Sequence, residues 1–345
     1  MIPVLSHILC LCDTKLSDLH VRARRAPLRY FRSREPTVLR SLFISLSESR
    51  GLRAFAERSS LGQKFSSRFV AGTQPEDVLR VTRKVNESGL SVSIDNLGEN
   101  VTNADEARAS AALYHQLLDL IAEQKLNANI SLKLTHMGLD VDENLAHSLV
   151  SSLVAKAASM SPQNFVRVDM EGSPYTQRTL DFVHELHRSP GNQGCVGAVI
   201  QSYMRRAESD IEKLVAAGIR IRLCKGAYKE PPDIAFQQKS EVDAQYVKLM
   251  KILMKSKIYH GLATHDVAII KEAQAFATRE NIPRDAFEFQ MLYGIRSELQ
   301  RRLVRKGWRM RVYIPFGTEW YPYFMRRLAE RPANVFFIVK NLLRK

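Results

Sequence analysis

From residue 89 onward the chain switches repeatedly between two hydrophobic rhythms. Short β-rich runs with period two open near residues 91, 129, 164, 196, 219, 260, 287 and 309. Between most of them apolar residues recur every three or four positions. One such stripe is Ala107, Ala111, Tyr114, Leu118 and Ile121, a second is Leu145, Leu149, Leu153 and Ala157, and a third is Val247, Met250, Leu253 and Met254. The first rhythm marks strands and the second marks helices. Thr102 with Asp105 reads as a capping box at the start of the first helix. Strands alternating with helices build βα units around a parallel sheet. Eight runs over residues 91–345 fit the roughly 250 residues of a (β/α)8 barrel. A doubly wound open sheet is the competing arrangement. It lacks a glycine-rich phosphate turn after an early strand, because Gly191 and Gly194 precede a strand instead.

The polar residues within the strands carry more information than the apolar ones. Ile219, Ile221 and Leu223 take one parity while Arg220, Arg222 and Cys224 take the other. Ile130, Leu132 and Leu134 oppose Ser131 and Lys133, and Val166, Val168 and Met170 oppose Arg167, Asp169 and Glu171. Glu288 and Gln290 share a parity, as do Arg309, Arg311 and Tyr313. In a barrel the apolar parity faces the outer helices, so the polar one points inward. An antiparallel sheet with one wetted face also alternates, but the intervening helices argue against it. Barrel interiors are normally filled by branched apolar residues. A lumen of Arg, Lys, Asp and Glu therefore implies internal ion pairing or a polar ligand.

Composition narrows the class further. The chain has 345 residues, 45% hydrophobic and 25% charged, enough to bury a large core and exclude disorder as its main state. No apolar run approaches the roughly 18–20 residues that span a bilayer. These features predict a soluble globular protein. A net charge of +15 favours contact with something negative, yet no basic block with interleaved aromatics reads as a nucleic-acid groove. Four cysteines make no disulfide framework, Cys10 and Cys12 lack partners at zinc spacing, and Cys195 and Cys224 read as small core residues. A reducing, cytoplasmic setting fits. The apolar stretch 2–12 lacks a basic lead-in and a small-residue cleavage site, which argues against a signal peptide. Residues 1–36, with Arg22, Arg24, Arg25, Arg29, Arg32 and Arg34 among Pro27 and Pro36, read as a poorly ordered basic leader, the alternative being an anionic-lipid contact. Residues 37–88 form an N-terminal helical segment. Leu39, Leu42, Phe43 and Leu46 share one face there, and Leu52, Phe55 and Ala56 the next. Residues 89–345 form the barrel.

Barrel active sites lie at the C-terminal ends of the strands. Those ends read Asp95, Lys133, Asp169-Met170-Glu171, Gln201, Arg222-Leu-Cys-Lys-Gly-Ala-Tyr228, Ala263-Thr-His-Asp266, Phe289-Gln-Met-Leu-Tyr-Gly294 and Tyr313-Ile-Pro-Phe-Gly317. A predicted helix follows, on which Tyr323, Arg326, Arg327 and Glu330 share a broad face. With these motifs in this order, the chain from residue 37 onward closely resembles proline dehydrogenases. Its length and its Trp-Tyr-Pro-Tyr segment are similar to the short monofunctional bacterial type.

The resemblance implies a distorted (β/α)8 TIM-type barrel with extra N-terminal helices and non-covalently bound FAD. The implied reaction is oxidation of L-proline to Δ1-pyrroline-5-carboxylate, with electrons passed to a quinone. It further implies that Arg326 and Arg327 grip the substrate carboxylate, for which guanidinium forks are well shaped. Lys133 adds positive charge and pairs with Asp169, which orients Lys133 or an arginine. Arg222 lies by the flavin N5, where negative charge needs stabilising. Tyr228, Leu292, Tyr313 and Tyr323 wall the proline ring. Flavin contacts carry over to Met170, Gln201, Lys225, Gly226, Ala227, Thr264, His265 and Glu330, besides Arg222. No metal is implied: His265 has no second ligand at metal spacing, and His184 and His187 read as helix surface.

Two departures from the family pattern stand out. Cys224 replaces a common Val, and the 36-residue leader has no counterpart. Tyr313 stands where hydroxyproline-oxidising relatives carry a smaller residue, so its bulk favours proline. Two rival classes remain at this stage. One is a Schiff-base aldolase on the same barrel, using Lys133 or Lys225. The other is a non-enzymatic basic binding protein. The basic charge also allows peripheral membrane contact without an anchoring helix.

Overall fold

The structure is a computed structural model that describes Ser59, residues 66–98 and residues 101–330, with side chains as far as Met325. The expectations for residues 1–36 and for the stripe between 39 and 56 lie outside the described residues. So do those resting on the side chains of Arg326, Arg327 and Glu330.

A helix α1 (Pro75–Glu87) leads into eight strands alternating with helices. In order these are β1 (Ser91–Asn96), α2 (Ala104–Glu123), β2 (Ala128–Leu132), α3 (Glu143–Ser159), β3 (Val166–Val168), α4 (Ser173–Arg188), β4 (Val196–Gln201), α5 (Ala207–Ala216) and β5 (Arg220–Cys224). Then follow α6 (Lys239–Lys255), β6 (His260–Ala263), α7 (Val267–Arg279), β7 (Phe287–Leu292), α8 (Ser297–Arg305), β8 (Arg309–Phe316) and α9 (Trp320–Glu330). The strands close into a barrel in sequence order, β8 pairing back onto β1 with Val92 opposite Val312. All the pairings are parallel, as βα connections require. The protein is a (β/α)8 barrel.

Inside and outside are divided by the strand pleat as the alternation foretells. Ile219, Ile221 and Leu223 are buried against the outer helices. Arg167, Arg222, Glu288 and Gln290 are equally buried, but inside the lumen. On α2 the predicted stripe of Ala107, Ala111, Tyr114, Leu118 and Ile121 is buried throughout. The cap of that helix is not the predicted one. Asn103, in extended backbone, accepts from the Glu106 amide at 2.9 Å, while Glu106 reaches back to the Thr102 amide at 2.8 Å. The box is shifted by one residue because Asn caps as well as Thr does. On α3 the buried face is Ala146, Val150, Leu153, Val154 and Ala157, so Leu145 and Leu149 lie at its margin. His187, expected at the surface, is buried on the inner face of α4 beside Val183 and Leu186.

His260 anchors the start of β6. Its Nδ1 accepts the Ile221 amide at 3.0 Å, and its Nε2 lies 2.9 Å from the Ser256 hydroxyl. Burial, with Arg167 and Arg220 nearby, pushes its pKa down from 6.5 to about 3. The imidazole is therefore neutral in the fold, while an unfolded chain charges it at the ordinary pH. Between these values the unfolded state binds more protons, so stability falls as pH drops from about 6.5 toward 3. A His260→Phe variant should be less stable at neutral pH but show a shallower decline through that window. Urea midpoints measured at stepped pH test this, and parallel declines in both proteins would refute it.

Candidate active site

Short strands ending near one level bring several charged side chains to the C-terminal mouth. At its centre is Arg222, on the inward parity of β5. Nη1 donates to Asp169 Oδ1 at 2.7 Å and to the Ser131 hydroxyl at 3.1 Å. Nη2 donates to the Ser93 hydroxyl at 3.0 Å, and Nε to Gln290 Oε1 at 2.6 Å. The guanidinium carbon lies 5.1 Å from the centre of the Tyr313 ring. Five groups from β1, β2, β7, β8 and the end of β3 thus converge on one buried cation. Such convergence compensates the cost of removing that charge from water.

Asp169 is shared. Ser131 donates to its Oδ1 at 2.8 Å, and the Tyr313 hydroxyl donates to its Oδ2 at 3.0 Å. Burial, reinforced by Asp169 and Asp95, pushes the Tyr313 phenol well above its ordinary pKa, so it remains a donor. The carboxylate that reaches Lys133 is Asp95, with Nζ 3.8 Å from Oδ2. Of the two partners expected for Asp169, the structure thus supplies the arginine. Tyr114 braces this corner from α2, donating to the Ser131 carbonyl at 2.8 Å.

A second group of predicted residues lies around the ends of β4 to β7. Gln201 donates to the Glu171 carbonyl at 3.0 Å and accepts the Ala227 amide at 3.3 Å. Gly226 adopts φ +117°, and a Cβ there would lie 2.3 Å from the Tyr203 ring, so only glycine makes this turn without displacing the tyrosine. Lys225 is held by Asp243 at 2.5 Å and Asp266 at 3.0 Å. His265 Nε2 accepts the Leu292 amide at 3.0 Å, while Thr264 Oγ1 accepts the Asp266 amide at 3.0 Å. Met170, Thr264 and Tyr323 are buried, Leu292 and Tyr313 are half-buried, and Tyr228 is exposed. Cys224 packs against the core, and burial pushes its thiol up to about 12. Among the described residues no group of three metal-ligating side chains converges.

Asp95 was already read as a strand end; Ser93, Ser131 and Gln290 belong to this constellation without having been assigned a role from the sequence. Their inward parity was visible. Small hydroxyls and a neutral amide carry no charge to advertise, and their importance emerges only where Arg222 meets them.

A charged constellation at the C-terminal mouth of a parallel barrel defines an enzyme of the (β/α)8 class. The comparisons identify which one. The proline dehydrogenase family profile matches residues 78–340, and the chain belongs to that family. It is 40% identical over 309 residues to Proline dehydrogenase 1 of Bacillus subtilis subsp. natto, covering 89% of this chain and 100% of that protein. It is 36% identical over 282 residues to Proline dehydrogenase of Deinococcus radiodurans, covering 81% and 90%. The fold is shared with the crystal structure of proline utilization A from Bdellovibrio bacteriovorus, with TM-score 0.74 and 24% identity over 84% of this chain and 36% of that one. The protein is an oxidoreductase acting on proline. The Schiff-base alternative is not favoured. Lys225 lies against Asp243 and Asp266, and Lys133 Nζ lies 3.8 Å from Asp95 Oδ2.

Removing Asp169 strips Arg222 of its carboxylate inside the lumen. Asp169→Ala should cost about 3–5 kcal/mol of stability, the usual result of leaving one partner of a buried pair. Tyr313→Phe, which removes a single hydroxyl donor, should cost only about 1 kcal/mol. Denaturant midpoints decide, and an Asp169→Ala midpoint equal to that of the parent would show that the pair contributes nothing.

Proposed function

We propose that the barrel mouth binds FAD non-covalently and that L-proline is oxidised there to Δ1-pyrroline-5-carboxylate, with a quinone as the final electron acceptor. The observation that carries the reading is Arg222, held by Asp169, Ser131, Ser93 and Gln290 at the strand ends of a family member. The donor set suits a flat, anionic, hydrogen-bonding cofactor. Gln201 presents a pinned amide, Gly226 a turn free of a side chain, and Lys225 and Arg222 positive charge. Met170, Ala227, Thr264, His265 and Glu330 complete the proposed cofactor contacts. When bound, FAD supplies a two-electron acceptor.

The chain's own residues do the rest. Proline loses a hydride from C5 and the proton from nitrogen, which leaves the C5=N double bond. Arg326, Arg327 and Lys133 hold the carboxylate, since guanidinium forks and an ammonium match its charge. Asp169 keeps Arg222 in place, and Arg222 stabilises the negative charge that accumulates on the acceptor side. Tyr228, Leu292, Tyr313 and Tyr323 surround the ring and exclude water, which favours a near-attack geometry. The bulk of Tyr313 disfavours a ring bearing a 4-hydroxyl. The same reading divides the chain into a basic leader at 1–36, a helical segment at 37–88 and the catalytic barrel at 89–345. It places the activity in the cytoplasm. The charge of +15 supports contact with the anionic inner membrane face, where a quinone would be met. No described helix is long and apolar enough to cross a membrane.

An anaerobic absorption spectrum tests the core of this reading. Purified protein should show oxidised flavin that bleaches when L-proline is added. Turnover with trans-4-hydroxy-L-proline should be at least about tenfold lower, the size of effect expected from misfitting a pocket by one small group. Flavin that stays oxidised with proline, or equal turnover of both imino acids, would overturn the substrate assignment.

A further inference from the structure

Four groups hold Arg222, and one of them is itself held by a longer chain of contacts. Gln290 accepts from Arg222 Nε through Oε1, while its Nε2 donates to Glu288 Oε1 at 2.7 Å. Glu288 also accepts from Arg311 Nε at 2.6 Å and from the Tyr259 hydroxyl at 3.0 Å. A guanidinium only donates and an ionised carboxylate only accepts, so an amide wedged between them has one workable orientation. Burial opposes the charge on Glu288. Even so, Arg311 and the hydrogen bonds from Arg311, Gln290 and Tyr259 hold it below the usual carboxylate range.

The space for this amide comes from the neighbouring strand. Gly261 lies opposite Arg222 in one register and opposite Glu288 in the other. A Cβ built on Gly261 would lie 2.2 Å from Gln290 Nε2. A bare Cα on β6 is thus what lets a long side chain from β7 cross to Arg222 on β5.

We propose that Gln290, seated over Gly261 and turned by Glu288, is a positioning residue that fixes the plane of the Arg222 guanidinium. Contacts at Nη1 and Nη2 alone leave the group free to rock about its stem. An acceptor at Nε closes the set and removes that freedom. Gln290 acts only through Arg222, so the inference rests on Arg222 facing the reacting centre. Misplacing such a group by about an ångström costs up to about a hundredfold in rate.

Gly261→Ala is the sharpest test, because its new methyl meets the far end of a flexible side chain rather than backbone. Gln290→Leu, which removes the acceptor, and Arg222→Met, which removes the cation, are its companions. The measurements on flavin-loaded enzyme are kcat, KM for L-proline, thermal midpoint and flavin reduction potential. Gly261→Ala and Gln290→Leu should lower kcat by about 10- to 100-fold, with KM changed less than about threefold. The reduction potential should move in the negative direction, as in Arg222→Met, because a displaced cation stabilises added electrons less. The thermal midpoint of Gly261→Ala should fall by no more than a few degrees, since the displaced amide gives up only its bonds to Arg222 and Glu288. Parental kcat and potential in both Gln290→Leu and Gly261→Ala, beside a defective Arg222→Met, would overturn the positioning role. A lower kcat with an unmoved potential and a lower midpoint would assign Gln290 to structure alone, which also overturns it. An Arg222→Met enzyme with parental kcat and potential would instead sink the reading of Arg222 on which the inference stands.

Discussion

A guanidinium enclosed by eight strands is almost wholly withdrawn from solvent, and the interior of this barrel is organised around that constraint. Arg222 draws one carboxylate, two hydroxyls and an amide to itself from separate strands, over the face of Tyr313. Three of these groups, Asp169, Ser131 and Gln290, have a second obligation. Asp169 also takes the Tyr313 and Ser131 hydroxyls, and Gln290 also serves Glu288. Glu288 in turn neutralises Arg311, which donates further to the Val92 carbonyl and Asn129 at 2.7 and 2.8 Å. A buried polar network is favourable only when every member is satisfied. Here that requirement ties the C-terminal mouth to the opposite end of the lumen.

The arrangement follows from a parallel barrel with an unusual filling. Helices cover the outside of each strand, so the outward parity is apolar and carries the hydrophobic core. The inward parity is released from that duty. At the lower layer Arg167 and Arg220 stack on Phe165, 4.5 and 4.2 Å from its ring centre, and Arg167 donates to the carbonyls of Ala198 and Arg220. These arginines are satisfied by backbone and aromatic faces instead of acids. That helps explain how a strongly basic chain closes its interior without matching every cation to an anion.

Much of this was legible in the sequence. Two rhythms of hydrophobicity located all eight strands to within about two residues, and strand parity placed Arg222, Asp169 and Tyr313 inside. Their strand-end positions followed from where barrel enzymes keep their chemistry. Pairing was harder to read. The choice between Lys133 and an arginine as partner of Asp169 depends on strand stagger, and stagger is a property of closure that no single strand records. The cap at Asn103 and the burial of Leu149 failed for a smaller reason, since a shift of one residue turns a helix by about 100°. Ser93, Ser131 and Gln290 were on view but uncharged, and their weight comes from what they touch.

Gly261 has a counterpart one strand pair away. A Cβ on Gly197 would lie 2.2 Å from the Arg220 carbonyl and 2.8 Å from Arg167 Nη1. In both layers a long polar side chain occupies the volume that its neighbour has given up. The lumen therefore conserves volume across strands, a small residue on one allowing a large one on the next. Sequence drift within such a barrel is constrained in pairs: a larger residue at 261 displaces a side chain as long as glutamine at 290 and leaves only a shorter one in place. The two positions should covary across relatives even though 29 residues separate them along the chain.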